Sequence, residues 1–166
     1  MQRPPIVHLD ELTGGHERVR EPHYRAKHVP LAPLLGLVKL GFNLTELAPG
    51  SRSFPYHFHH ANEELFLILA GEGTLRWPGG TASLRAGDLI GCVTGAEGAH
   101  QITNTGGVPL RYLALSTTND PEAVEYPDSG KVGVVAGRPV GRPLQEAQLA
   151  HFGLKRDAVD YWAGEE

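Results

Sequence analysis

His57-Phe58-His59 sets two imidazoles on one side of an extended chain, because alternate residues of a β-strand share a face. Two nitrogen donors placed this way can meet one metal ion. If His60-Ala61-Asn62-Glu63 forms a four-residue hairpin loop, Glu64 stands directly across from His59, with Cβ atoms about 4.5 to 5.5 Å apart. Its carboxylate then joins the imidazoles, and the same register brings Phe66 opposite His57 as an aromatic wall. Taken singly, an inward histidine is an ordinary hydrogen-bonded core residue; the pair with a register-matched acid reads as a ligand set. A three-residue loop would bring Glu63 inward instead, so spacing alone leaves both acids open. His60 falls on the opposite face or in the turn and reads as a non-ligand. Cys92 lies in the apolar run Leu89-Ile90-Gly91-Cys92-Val93 with no base beside it in sequence, which reads as a buried structural thiol.

Short strands must position these groups. Between residues 37 and 116 roughly eight strands are expected: one through Leu37 to Leu47, then Phe54 to His59, Glu64 to Ala70, Thr74 to Trp77, Thr81 to Leu84, Asp88 to Val93, His100 to Thr103 and Leu110 to Ser116. Pro49-Gly50, Gly71 with Gly73, Gly79-Gly80, Gly87, Gly95 with Gly98, and Gly106-Gly107 punctuate them at the spacing of sandwiches and small barrels. Trp77-Pro78-Gly79-Gly80-Thr81 reads as a tight hairpin. Residues 1–36 form an arm with one short strand at Ile6 to Leu9, and residues 37–116 the barrel core. Residues 117–166 form an extension, irregular through Asn119-Asp120-Pro121 and Tyr126-Pro127-Asp128-Ser129-Gly130, with an edge strand at Val132 to Ala136 and a short helix that starts at Pro143 and stops at Gly153.

The 166 residues fit one domain with extensions, and 21 glycines and 13 prolines, about a fifth of the chain, cut the backbone too often for long helices. A net charge of −4 supplies no cationic footprint for nucleic acid, and no apolar run reaches the roughly 20 residues of a membrane span. A single cysteine excludes an intramolecular disulfide. Met1-Gln2-Arg3-Pro4-Pro5 lacks the apolar core of a secretory signal, so a cytoplasmic protein is expected.

The stretch from Gly50 through His57-Phe58-His59 and Glu64 to Gly71 resembles the first motif of the cupins: a glycine, His-x-His, three or four residues, Glu, six residues, Gly. The interval from Glu64 to Gly71 fits that motif and favours Glu64 over Glu63, while Gly50 to His57 is one residue longer than usual. Gly87, Gly95, His100 and Asn104 answer more loosely to the second motif, with Val93 in place of a proline and a longer Ala96-Glu97-Gly98-Ala99 gap. The resemblance covers about residues 37–116. It implies an all-β double-stranded β-helix, a jelly-roll-like barrel, with His57, His59, Glu64 and His100 as metal ligands, and Asn104 ordering the turn before Gly106-Gly107. Segments around Tyr126-Pro127-Asp128 and Asp160-Tyr161-Trp162 look like those of a bacterial single-domain subgroup.

Three neutral imidazoles and one carboxylate suit a divalent transition metal, Mn, Fe, Co, Ni or Zn, rather than the oxygen-seeking Ca or Mg. An ion with open positions can bind two oxygens of an acid or diol, polarise a carbonyl, or activate dioxygen if it is iron. Two functions follow: a metal-dependent isomerase, lyase or dioxygenase acting on a small oxygen-rich molecule, or a non-catalytic binding or sensing barrel. A purely structural metal ranks below both. No general base declares itself. Tyr56, Arg76, Gln101 and Arg111 are pocket candidates by position, with Arg76 and Arg111 read first as solvated strand residues and Tyr56 as packing. Exposed sheet edges and the aromatic tail at Phe152, Tyr161 and Trp162 point to coverage within the chain or across a homodimer.

Overall fold

A computed structural model describes residues 3–165; Met1 and Gln2 of the expected arm, and Glu166, lie outside them. Thirteen strands run in chain order: β1 His16–Arg20, β2 Tyr24–Pro30, β3 Leu40–Leu47, β4 Phe58–His59, β5 Glu64–Ala70, β6 Glu72–Trp77, β7 Gly80–Arg85, β8 Leu89–Cys92, β9 Gln101–Thr103, β10 Leu110–Thr117, β11 Glu122–Tyr126, β12 Lys131–Ala136 and β13 Leu149–Leu154. Eight of them, β3 to β10, fall in the predicted core.

One six-stranded sheet has the order β1-β2-β3-β10-β5-β8, and the opposing wall is built from the sheets β13-β12-β11-β4 and β7-β6-β9. A single antiparallel bridge between His57 and His100 joins the last two, with the His100 amide donating to the His57 carbonyl at 2.9 Å and the reverse bond at 3.3 Å. Two candidate ligands are therefore direct cross-strand neighbours at the seam. Between the walls lies the core, where Leu47, Phe66, Ile68, Ile90, Leu110 and Tyr112 of the six-stranded sheet meet Leu84 and Ile102 of the other wall. A second cluster, Val29, Leu31 and Leu44 with Leu9, Leu12 and Leu35, fixes the arm to the outer face of the large sheet.

The hairpin at Trp77 is present: Trp77 pairs with Gly80 across Pro78-Gly79. Gly71, at φ +82°, turns the chain from β5 into β6 where a Cβ would sit 2.6 Å from the Pro109 carbonyl oxygen. Four expectations need correction. Ile6 to Leu9 is not a strand; only a 3-10 turn, Leu9–Glu11, forms there, and the arm contributes β1 and β2 instead. Glu122–Tyr126 is a strand rather than irregular chain.

The helix expected from Pro143 is also absent. It is reduced to one 3-10 turn, Leu144–Glu146, and Leu149–Leu154 becomes β13, paired with β12 from Ala136↔Leu149 to Lys131↔Leu154. An isolated helix of about ten residues is marginal in water, whereas the free edge of β12 offers a full ladder of backbone partners. Finally, β4 and β5 do not form a hairpin. β4 pairs with β11, His59 opposite Val124, while β5 lies between β10 and β8 with Glu64 opposite Ser116 and Cys92. Residues 60–63 cross from one wall to the other instead of closing a hairpin.

Candidate metal centre

The crossing still delivers His59 and Glu64 to one point, by facing walls rather than by cross-strand pairing. His59 Nε2 lies 3.3 Å from Glu64 Oε2, and His100 Nε2 lies 3.0 Å from the same oxygen. Ligand atoms of His57, His59 and Glu64 all lie within 4.8 Å of one another. His100 does not belong to that mutual set, although its ring centroid is 4.7 Å from that of His57. Phe66 walls the site against His100, at 5.2 Å between centroids, not against His57 as the hairpin register had implied. Glu63 is exposed, and His60 points to Glu125 at 3.0 Å.

Each imidazole is oriented through its other nitrogen. His57 Nδ1 donates to the Pro55 carbonyl at 2.8 Å and His100 Nδ1 to the Gly98 carbonyl at 2.9 Å. A carbonyl can only accept, so each Nδ1 carries a hydrogen and Nε2 is the atom turned toward the cluster. His59 Nδ1 faces the Glu122 carboxylate at 3.4 Å. Glu122 is fixed in turn by the amides of His60 and Ala61 and by the Asn62 side chain, the arrangement by which a carboxylate holds a metal-ligating histidine.

Electrostatics match this layout. Burial, reinforced by the neighbouring His100, pushes His57 down to about 4, so it is neutral at pH 7. Burial opposes ionisation of Glu64, but the closeness of His100 and His59 outweighs it and holds the carboxyl far below the usual range. His59 and His100 are raised against the pull of burial, His59 by Glu64 and His100 by Cys92 and Glu64. Glu64 Oε2 and His59 Nδ1 are nonetheless buried with no aligned hydrogen-bond partner. In the metal-free chain the Glu64 charge draws protons to His59 and His100, the place that a metal cation would take among the same nitrogens and oxygen. This donor set fits a divalent transition metal.

Residues 43–116 match the cupin domain family Cupin_2. An oxalate-binding protein of Thermotoga maritima is 38% identical over 107 residues, which cover 64% of this chain and 82% of that protein. The chain belongs to the cupin family. Among solved structures, a proposed sugar phosphate isomerase of Acidithiobacillus ferrooxidans is 26% identical with a TM-score of 0.78, over 95% of this chain and 96% of that one. A protein described as a predicted oxalate decarboxylase of Thermotoga maritima is 26% identical with a TM-score of 0.57, over 69% of this cupin and 99% of its own length.

The other pocket candidates face away from the cluster. Arg76 pairs with Asp128 at 2.6 Å and stacks on Tyr56, whose ring belongs to a separate cluster with Phe58 and Ala99. Gln101 donates to the Phe54 carbonyl, and Arg111 pairs with Asp10. Cys92 is buried, and Asn104 bonds the Gly106 amide and the carbonyls of Leu47 and Val108, which orders the turn. Sequence reasoning missed Glu122 and Tyr126, the latter stacked on His57 at 6.0 Å and 21°, because β11 had been read as irregular. It also missed Phe54, whose ring lies 6.0 Å from His57.

Proposed function

We propose that this cupin holds one divalent transition metal, Mn, Fe, Co, Ni or Zn, on His57, His59, Glu64 and His100, and uses it as an enzyme of the isomerase, lyase or dioxygenase type on a small oxygen-rich molecule. The observation that carries this reading is the buried, unaligned Glu64 Oε2 between two imidazole Nε2 atoms at 3.0 and 3.3 Å. A bound ion supplies Lewis acidity toward oxygen groups of a substrate. The chain's own part is to fix the ring orientations of His57 and His100 through Pro55 and Gly98, to set the Glu122 carboxylate beside His59, and to wall the site with Phe66 and Tyr126.

A second reading, binding without conversion, is supported by the name of the Thermotoga relative, an oxalate-binding protein. Incubating the metal-loaded protein with oxalate and with aldose phosphates, followed by product analysis, separates the two. Conversion that vanishes in His59→Ala while the circular dichroism spectrum persists supports the enzyme. Conversion that survives both that substitution and metal removal overturns the metal reading, and return of every compound unchanged favours the binder.

The protein is also proposed to be cytoplasmic and homodimeric. Cell fractionation tests the first. The second is supported by the exposed edge strand β13, with Leu149 and Phe152, and by Tyr161 and Trp162 beyond it. None of the helices among the described residues is long and apolar enough to cross a membrane, and the charge of −4 fits no nucleic-acid partner.

A further inference from the structure

Two cations without a counter-charge each sit on an aromatic ring that neighbours His57, one from each wall. Arg18 on β1 is opposite Ala26, and Ala26 opposite Leu47, so Arg18 lies on the inner face of the six-stranded sheet with Leu47 and Tyr112. Its guanidinium carbon lies 3.8 Å over the centre of the Phe54 ring, and that ring is 6.0 Å from His57. Lys131 on β12 is opposite Tyr126, its Nζ is 4.2 Å from the centre of the Tyr126 ring, and that ring is stacked 6.0 Å from His57.

Among the described residues neither cation has a carboxylate within ion-pair distance. Arg18 spends only one nitrogen, Nη2, on protein groups, the Ser53 carbonyl and His28 Nε2. Its burial costs charge stability, visible in a pKa lowered chiefly by desolvation. By contrast Arg76, also stacked on an aromatic ring, is neutralised by Asp128. A half-buried arginine left unpaired one aromatic ring from a candidate metal ligand is a cost that an anionic ligand would offset.

We propose that Arg18 and Lys131 form an anion subsite, so that the molecule taken by this protein carries a carboxylate or phosphate in addition to the oxygens offered to the metal. The inference rests on the metal reading above and deepens it. Both cations lie outside the family-matched residues 43–116. Substrate class is thereby set by the arm and the extension rather than by the shared barrel.

The test is calorimetric titration of Mn-loaded protein, with metal content measured in the same samples, using glycerate, malate and 3-phosphoglycerate. All three present a 2-hydroxy acid; the last two add a carboxylate or a phosphate. Wild type should bind one of the two compounds with a second anionic group at least about tenfold more tightly than glycerate, and which one identifies the group. Arg18→Gln and Lys131→Gln should each erase most of that preference and leave glycerate affinity within about threefold. Equal binding of all three by loaded wild type, or a preference unchanged in both variants, overturns the subsite. A wild type that takes up no metal overturns the metal reading, and the subsite falls with it. Should Arg18→Gln fail to fold, Lys131→Gln on its half-exposed strand decides alone.

Discussion

At the scale of single residues, tautomers and protons are set by which neighbour can only donate or only accept. His28 shows it away from the metal cluster: Arg18 donates to its Nε2 at 2.8 Å, so its Nδ1 donates to Thr45 Oγ1 at 3.1 Å and the ring is held neutral. Burial, with the Arg18 charge, pushes it down to about 3, whereas a free histidine takes up a proton near 6.5. Between those values the unfolded chain binds a proton that the folded chain does not. Stability therefore falls as pH drops from about 6.5 toward 3, by up to about 1.4 kcal/mol per unit, and is indifferent to this group above that window. Urea unfolding of metal-free protein at pH 7 and 4.5 should show a smaller loss in His28→Gln than in wild type; identical losses would exclude this role. The gathering of His57, His59 and Glu64 was legible at this scale, since His-x-His and the Glu64-to-Gly71 spacing are carried by the chain itself. Arg18, Glu122 and Lys131 were not, because nothing in their local sequence says which strand they will face.

At the scale of elements, the strands of the core follow their glycine punctuation, whereas pairing partners do not follow from adjacency. His59 and Glu64 were expected to meet as opposed residues of a hairpin, yet they meet from separate sheets with the same outcome for the carboxylate. A five-residue step between histidine and acid lets the two meet under either topology, which is why His59 and Glu64 come together despite the wrong register. The tail failed for a different reason: Pro143 followed by Leu144, Ala147, Leu149 and Ala150 suits the start of a short helix, but an open ladder on β12 outweighs that weak local preference. Gly71 belongs to this scale as well. Gly71→Ala forces a Cβ to φ +82° and to 2.6 Å from the Pro109 oxygen, so the β5 to β6 turn should lose about 1 to 3 kcal/mol. A thermal melt unchanged from wild type would refute that account of the turn.

At the scale of the whole molecule, a two-walled barrel is extended at both ends of the chain, β1 and β2 lengthening one wall and β11 to β13 the other. Those additions leave β13 as an edge strand, and Tyr161 and Trp162 beyond it are exposed by 84% and 69%, an unusual amount of aromatic surface for a lone subunit. Sedimentation at high concentration should give a dimer; a monomer throughout would remove that assembly. The central claim concerns the seam where β4 and β9 touch, since the His57 to His100 bridge brings two candidate ligands together and Glu64 reaches them from the opposite wall. Elemental analysis of protein loaded with a divalent transition metal and then exhaustively dialysed tests it most directly. The account predicts about one ion per chain in wild type and little in folded His57→Ala and His100→Ala; a wild type that retains no ion, or variants that retain it undiminished, would contradict it.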